Sequence, residues 1–210
     1  ALILAAVRAE MAQEGGVSLG IASGACGGDI LFHDVCAELG IRSRVYLPFG
    51  VEAFQVSSVQ HADANWVERF RALCDRVPPR ILQDGKALPR WLADRPHYDV
   101  WQRTNLWMLC EALALDARRL TLVALFNRER EPDGPGGTAH LVRVASERGC
   151  KPVVLDARVL LIGESRSVAD LDQTEVDHAV VAVGSLDMER VGAVRGVACN
   201  QVPDLQLAGG

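Results

Sequence analysis

Long apolar runs, basic blocks and paired metal-ligand spacings are all missing from this chain of 210 residues. No stretch reaches the about 18 apolar residues that a membrane-crossing helix requires, and no signal peptide opens the chain. The expectation is a cytoplasmic protein with no membrane partner. The formal charge is 22 − 27 = −5 with no Lys/Arg cluster. That argues against nucleic acid as a partner, while leaving room for a local basic pocket. The six cysteines (26, 36, 74, 110, 150 and 199) form no CxxC pair and read as reduced, buried thiols. His33, His61, His97, His140 and His178 form no HxH or HxxxH pair, so neither a metal nor any other cofactor is expected. GxGxxG and GxxxxGKS/T are absent, and the single GxSxG match, Gly16-Val17-Ser18-Leu19-Gly20, runs into the strand predicted at 17–22 and does not follow one as a nucleophile elbow must. Dinucleotide-dependent dehydrogenases, phosphate-loop NTPases and nucleophile-elbow hydrolases are thereby poor readings.

What is present is an ordinary globular composition, 49% hydrophobic and 23% charged. It suffices for one core of about 150 residues plus an appendage. The chain opens on Ala1 and runs straight into ALILAAVRAEM, which we read as a piece excised from a longer protein. Residues 1–14 predict a helix that Gly15-Gly16 stops. Residues 17–22 predict a strand, SGACGGD a loop, and 29–39 a helix with Asp29 at its start and Gly40 past its end. A strand at 43–48 completes a βαβ unit of about 30 residues. Residues 51–60 read as short helix or loop, 65–77 as helix, and the proline- and glycine-bearing 80–96 as loop. The strongest helical pattern covers 98–117. A strand at 120–126, a second glycine loop at 131–138, a helix at 139–148 and a strand at 152–157 follow. Beyond Ala157, 159–163 and 179–184 could be strands, and 158–210 reads as a linker, added strands or the start of a neighbouring domain. Continuous apolar strands alternating with helices predict an α/β fold with a parallel sheet covered on both faces.

Both glycine loops would lie at the carboxyl edge of such a sheet, where ligands bind. Each can offer backbone N–H groups at a helix start, where the dipole favours an anion. Candidate ligand contacts are therefore Ser23, Gly24, Gly27, Gly28 and Asp29 in the first loop, and Gly136, Gly137 and Thr138 in the second. Tight turns and helix–sheet packing are the competing uses of those glycines. Asp29 is either a helix cap or a ribose contact; Ser57 and Ser58 are either phosphate donors or turn residues. Asn105 stands on an apolar helix, so its amide needs a partner, backbone or ligand. Thr138 can cap the last helix and meet a phosphate at once. Cys26 reads as a small residue that fits its loop, with reactivity at a helix start as the alternative. Trp66, Trp101 and Trp107 read as core, and Trp91 as a candidate lid.

Gly24-Ala25-Cys26-Gly27-Gly28-Asp29-Ile30-Leu31-Phe32, then Leu47-Pro48-Phe49, Phe54 with Ser57-Ser58-Val59, Trp66 with Arg69-Phe70, and Gly136-Gly137-Thr138 resemble, in order, the SLOG superfamily. That group includes the DNA-processing proteins and the LOG phosphoribohydrolases. The likeness runs over about residues 15–157, and is nearest to the bacterial branch fused to tetratricopeptide repeats or signalling modules. It implies a Rossmann-like three-layer sandwich over residues 1–157, with a first strand cut off before Ala1. It also implies a nucleotide-derived small molecule between the glycine loops. The phosphoribohydrolases follow their second loop with a glutamate within a few residues; here Ala139-His140-Leu141-Val142 follows, and Glu147 comes nine positions after Thr138. At 1.5 Å per residue that is more than two helical turns away. The expectation is thus a sensor that regulates a fused or associated effector, as a homo-oligomer. A nucleoside or nucleotide N-glycosidic hydrolase using Asp29, Asp34 or Glu52 is the alternative, and a non-binding scaffold the third reading.

Overall fold

Short apolar segments flanked by turn residues build the sheet. The computed structural model describes residues 5–9, 17, 19–62, 64–115, 120–125, 136–150, 152–155 and the backbone of 180–184. The strands are β1 (Leu19–Ala22), β2 (Arg42–Leu47), β3 (Arg80–Ile81), β4 (Leu120–Leu125), β5 (Val153–Leu155) and β6 (Val180–Gly184). They form one sheet in the order β3-β2-β1-β6-β4-β5. β1 is parallel to β2, β2 to β3, and β4 to β5, whereas β6 is antiparallel to both β1 and β4. β1 to β5 therefore all point one way, with a single reversed strand between the two halves. The fold is α/β, Rossmann-like, with a mainly parallel sheet.

Helices lie on both faces. They are α1 (residues 5–9), α2 (Gly28–Glu38), α3 (Val51–Ser58), α4 (Ala64–Arg76), α5 (Val100–Leu115) and α6 (Thr138–Glu147). Because strand side chains alternate, Leu19, Ile21 and Leu122 pack under α5 and α6 with Met108, Leu109, Leu141 and Val144. Ala22 and Val123 face the other way, onto Phe32, Val35 and Cys36 of α2 and Val7 of α1. A third cluster closes the carboxyl edge, where Phe54 and Phe70 of α3 and α4 meet Leu47, Phe49 and Cys26. Gly20 makes the α2 contact possible. A Cβ there would stand 2.6 Å from Phe32 Cζ and 2.7 Å from Cys36 Sγ.

Several sequence expectations are corrected. The segment 80–96 is not all loop: Arg80–Ile81 extends the sheet edge, and Arg90–Leu92 forms a 3₁₀ turn. β1 begins at Leu19, since Val17 is outside the strand. Residues 51–58 are helix, so Ser57 and Ser58 sit at the end of α3 and not in a loop. Of the predicted helix 1–14, residues 5–9 are described and helical; Gly15-Gly16, the strand read at 159–163 and most of the loop read at 131–138 lie outside the described residues.

Candidate ligand cleft

The chain leaves β1 toward β2 on one side and β4 toward β5 on the other. The crevice at the carboxyl ends of strands that diverge in this way is where open α/β sheets bind ligands. A cleft of about 410 Å³ opens there, between the loop after β1 and the start of α6. That is within the range of small-molecule sites. Ser23, Asp29, Ser57, Ser58, Asn105, Gly136, Gly137 and Thr138 all line it. Gly24, Gly27 and Gly28 are not among its lining residues. Gly24 faces the Phe70 ring, 2.9 Å from where its Cβ would be. Gly27 caps α2 at φ 92° and ψ −122°, a conformation closed to most side chains.

The first loop is held from behind. His33, fully buried one turn into α2, lies 2.9 Å through Nε2 from the Ser23 carbonyl oxygen and donates to it. Desolvation drives its pKa down from 6.5 to about 4, so the imidazole is neutral at pH 7. The buried Asp29 carboxylate accepts the Ala25 N–H at 3.0 Å. It therefore braces the loop before the helix, and the N-cap itself is Gly27, with no side-chain cap. Cys26 N–H donates to the Ser58 carbonyl at 3.0 Å, tying the loop to the end of α3. Ser57 Oγ turns back onto the Ala53 and Phe54 carbonyls, at 3.0 and 3.2 Å. Cys26 Sγ lies 3.5 Å from His61 Nε2, and both residues line the cleft.

The second loop is pinned by α5. Asn105 Nδ2 donates to the Gly136 carbonyl at 2.8 Å, which answers the question its amide poses: the partner is backbone. The same amide lies 3.4 Å from His140 Nδ1, and burial lowers the pKa of that ring. Gly136 is pressed against Trp101, where a Cβ would come within 2.0 Å of the Trp101 Cβ. Thr138 is buried at the first position of α6, but Gly137 is the N-cap and no side chain caps that helix. The predicted capping by Thr138 is therefore absent.

The remaining wall supplies residues that the sequence reading passed over: Phe54, Trp101, Thr104 and Met108 as an apolar surface, and Asp99 and His61 as polar ones. Asp99 had a legible signal. Its Oδ1 accepts the Gln102 N–H at 2.8 Å while Gln102 Oε1 faces the Asp99 N–H at 3.3 Å, a reciprocal box in which Asp-x-x-Gln opens a helix. Trp101, read as core, is half-buried and borders the cleft. Trp91 is 72% exposed and does not line it, so it is no lid in this structure. Of the three carboxylates proposed for hydrolysis, Asp29 alone borders the cleft; Asp34 pairs with Arg69 and Arg76 of α4, and Glu52 is exposed on α3. Among the described lining residues there is no Lys or Arg. Nor, among described residues, is there a group of three or more His, Cys, Asp or Glu placed to hold a metal, or a helix long and apolar enough to cross a membrane.

No family model matches the chain, and searches of curated proteins and of solved structures return no similar protein.

Proposed function

We propose that this domain is a ligand sensor whose cleft takes the nucleoside portion of a nucleotide or nucleotide-derived signal. The reading rests on one observation: two helix starts and two buried loop anchors, His33 and Asn105, converge on a cleft of about 410 Å³ lined by both apolar and polar side chains. Half-buried Trp101, backed by Phe54 and Met108, would offer a base an apolar surface, while Ser23, Ser58 and Thr138 would supply polar contacts to a sugar or a single phosphate. The ordered SLOG-like motifs of the sequence support the same ligand class. Asp29 and Asp99, as carboxylates on the cleft lining, would accept from hydroxyl donors such as a ribose diol. Occupancy would tie the two loops together and shift the population seen by an attached effector or by a second copy of the chain.

One observation favours an N-glycosidic hydrolase as the second reading: Asp29 is a buried carboxylate on the cleft wall. Its engagement with the Ala25 N–H leaves it bracing a loop, which weighs toward binding without turnover. A thermal-shift panel of nucleosides, mononucleotides, cyclic dinucleotides and ADP-ribose derivatives separates the readings. A ligand at 100 times its Kd adds about 2.7 kcal/mol of stability. A shift with ligand recovered intact supports the sensor; release of free base supports the hydrolase. Silence across the panel removes both and leaves the scaffold.

A further inference from the structure

We propose that Cys26 and His61 form a reactive-thiol site in the cleft, whose substrate is a small hydroperoxide. The two residues come from different elements, 35 positions apart, and meet at 3.5 Å between Sγ and Nε2 on the cleft wall. Cys26 immediately precedes the cap of α2, an 11-residue helix whose N-terminal dipole favours a thiolate. Asp29 and Asp99 share the cleft and oppose that charge, so His61 is the lining group able to take the proton. The other described thiols are placed differently. Burial pushes Cys36 up to about 12 and Cys74 up to about 11. Cys26 is 6% exposed and reached from the cleft, which admits an oxidant of water size ahead of bulky electrophiles.

The chemistry closes without a further reactant. Cys26 S–H gives its proton to His61 Nε2, in the tautomer that carries the ring proton on Nδ1. The sulfur attacks the nearer peroxide oxygen and the O–O bond breaks. The departing oxygen takes the proton from His61 and leaves as water or an alcohol. Sulfur loses two electrons and becomes a sulfenic acid, and the peroxide gains them. No second cysteine lines the cleft among the described residues, so return to the thiol takes two equivalents of an external low-molecular-weight thiol: the first forms a mixed disulfide with Cys26 and releases water, and the second attacks it, freeing the Cys26 thiol and leaving a small disulfide.

The test is peroxide treatment of the purified chain with dimedone present, followed by peptide mass spectrometry and a rate for each cysteine. Cys26 is expected to carry the adduct ahead of Cys36 and Cys74. Losing the base leaves the helix dipole still favouring the thiolate, so Cys26 should be slowed and not silenced. His61→Gln is expected to slow it about tenfold, and His61→Asn likewise; His61 is exposed, so both variants should keep the wild-type melting temperature. Adduct spread evenly over the cysteines, or an unchanged Cys26 rate in both His61 variants, overturns the proposal. Neither readout involves a nucleotide, so the result is independent of the sensor reading.

Discussion

Burial takes the His33 imidazole out of water, and its charged form loses more by that than its neutral form. The folded pKa of about 4 lies below the ordinary 6.5. Between those values the unfolded chain binds a proton at this position and the folded chain does not, so stability falls as pH drops from about 6.5 toward 4. Each unit is worth about 1.4 kcal/mol, and between pH 7 and pH 5 the loss from this residue should be about 2 kcal/mol. Glutamine at the same place keeps an N–H for the Ser23 carbonyl but does not titrate. Urea unfolding of wild type and His33→Gln at both pH values should show the variant losing about 2 kcal/mol less; parallel losses would contradict the assignment. Gly136 carries a second prediction at this scale. Alanine there would drive a Cβ to 2.0 Å from the Trp101 Cβ and 2.8 Å from the Gln102 amide nitrogen, and neither can swing aside as a side-chain tip could. Gly136→Ala should cost about 1–3 kcal/mol, read from the denaturant midpoint.

Strands and helices depend on one another most visibly where α2 crosses β1. With no Cβ at Gly20, the Phe32 ring and the Cys36 sulfur settle directly on the strand. Gly20→Ala should destabilise by about 1–3 kcal/mol through overpacking. Combining it with Cys36→Ala removes one of the two colliding groups, so the double variant should lose less than the sum of the singles. Simple additivity in denaturant unfolding would show that the helix shifts as a body instead. The elements themselves were legible because each is a local pattern: LTLVAL, within the apolar run read as a strand, became β4, and the spacing of Trp66, Phe70 and Leu73 became α4. The place of β6 was not. AVVAVG reads as a strand, but its slot between β1 and β4, and its reversed direction, follow from partners far away in sequence. Pairings of that kind leave no local trace. The same holds in the cleft, where glycine loops announced its position, while the Cys26–His61 contact arises only on folding. The Asp99–Gln102 box was there to be read at the start of α5, and could have added Asp99.

Across the whole molecule the formal charge is −5, and the described cleft wall adds to that sign with Asp29 and Asp99. Helix starts and glycine loops supply partial positive charge, enough to welcome one phosphate but not a chain of them. Phosphate recognition through Lys and Arg would make binding fall steeply with added salt, since exposed charges are screened over about 10 Å at 0.1 M. If the proposed ligand is held by the described lining alone, with its backbone groups, hydroxyls and carboxylates, binding should be almost independent of salt. The expected order of affinity is therefore nucleoside and monophosphate above diphosphate above triphosphate, measured by calorimetry at low and high ionic strength. Asp29→Asn tests the cause. It removes a negative charge while keeping an oxygen for the Ala25 N–H. If charge sets the order, the variant should gain on the triphosphate by roughly tenfold relative to the nucleoside, about 1.4 kcal/mol. A wild type that prefers triphosphates, with affinity that salt erodes, would mean that cations beyond these walls govern recognition.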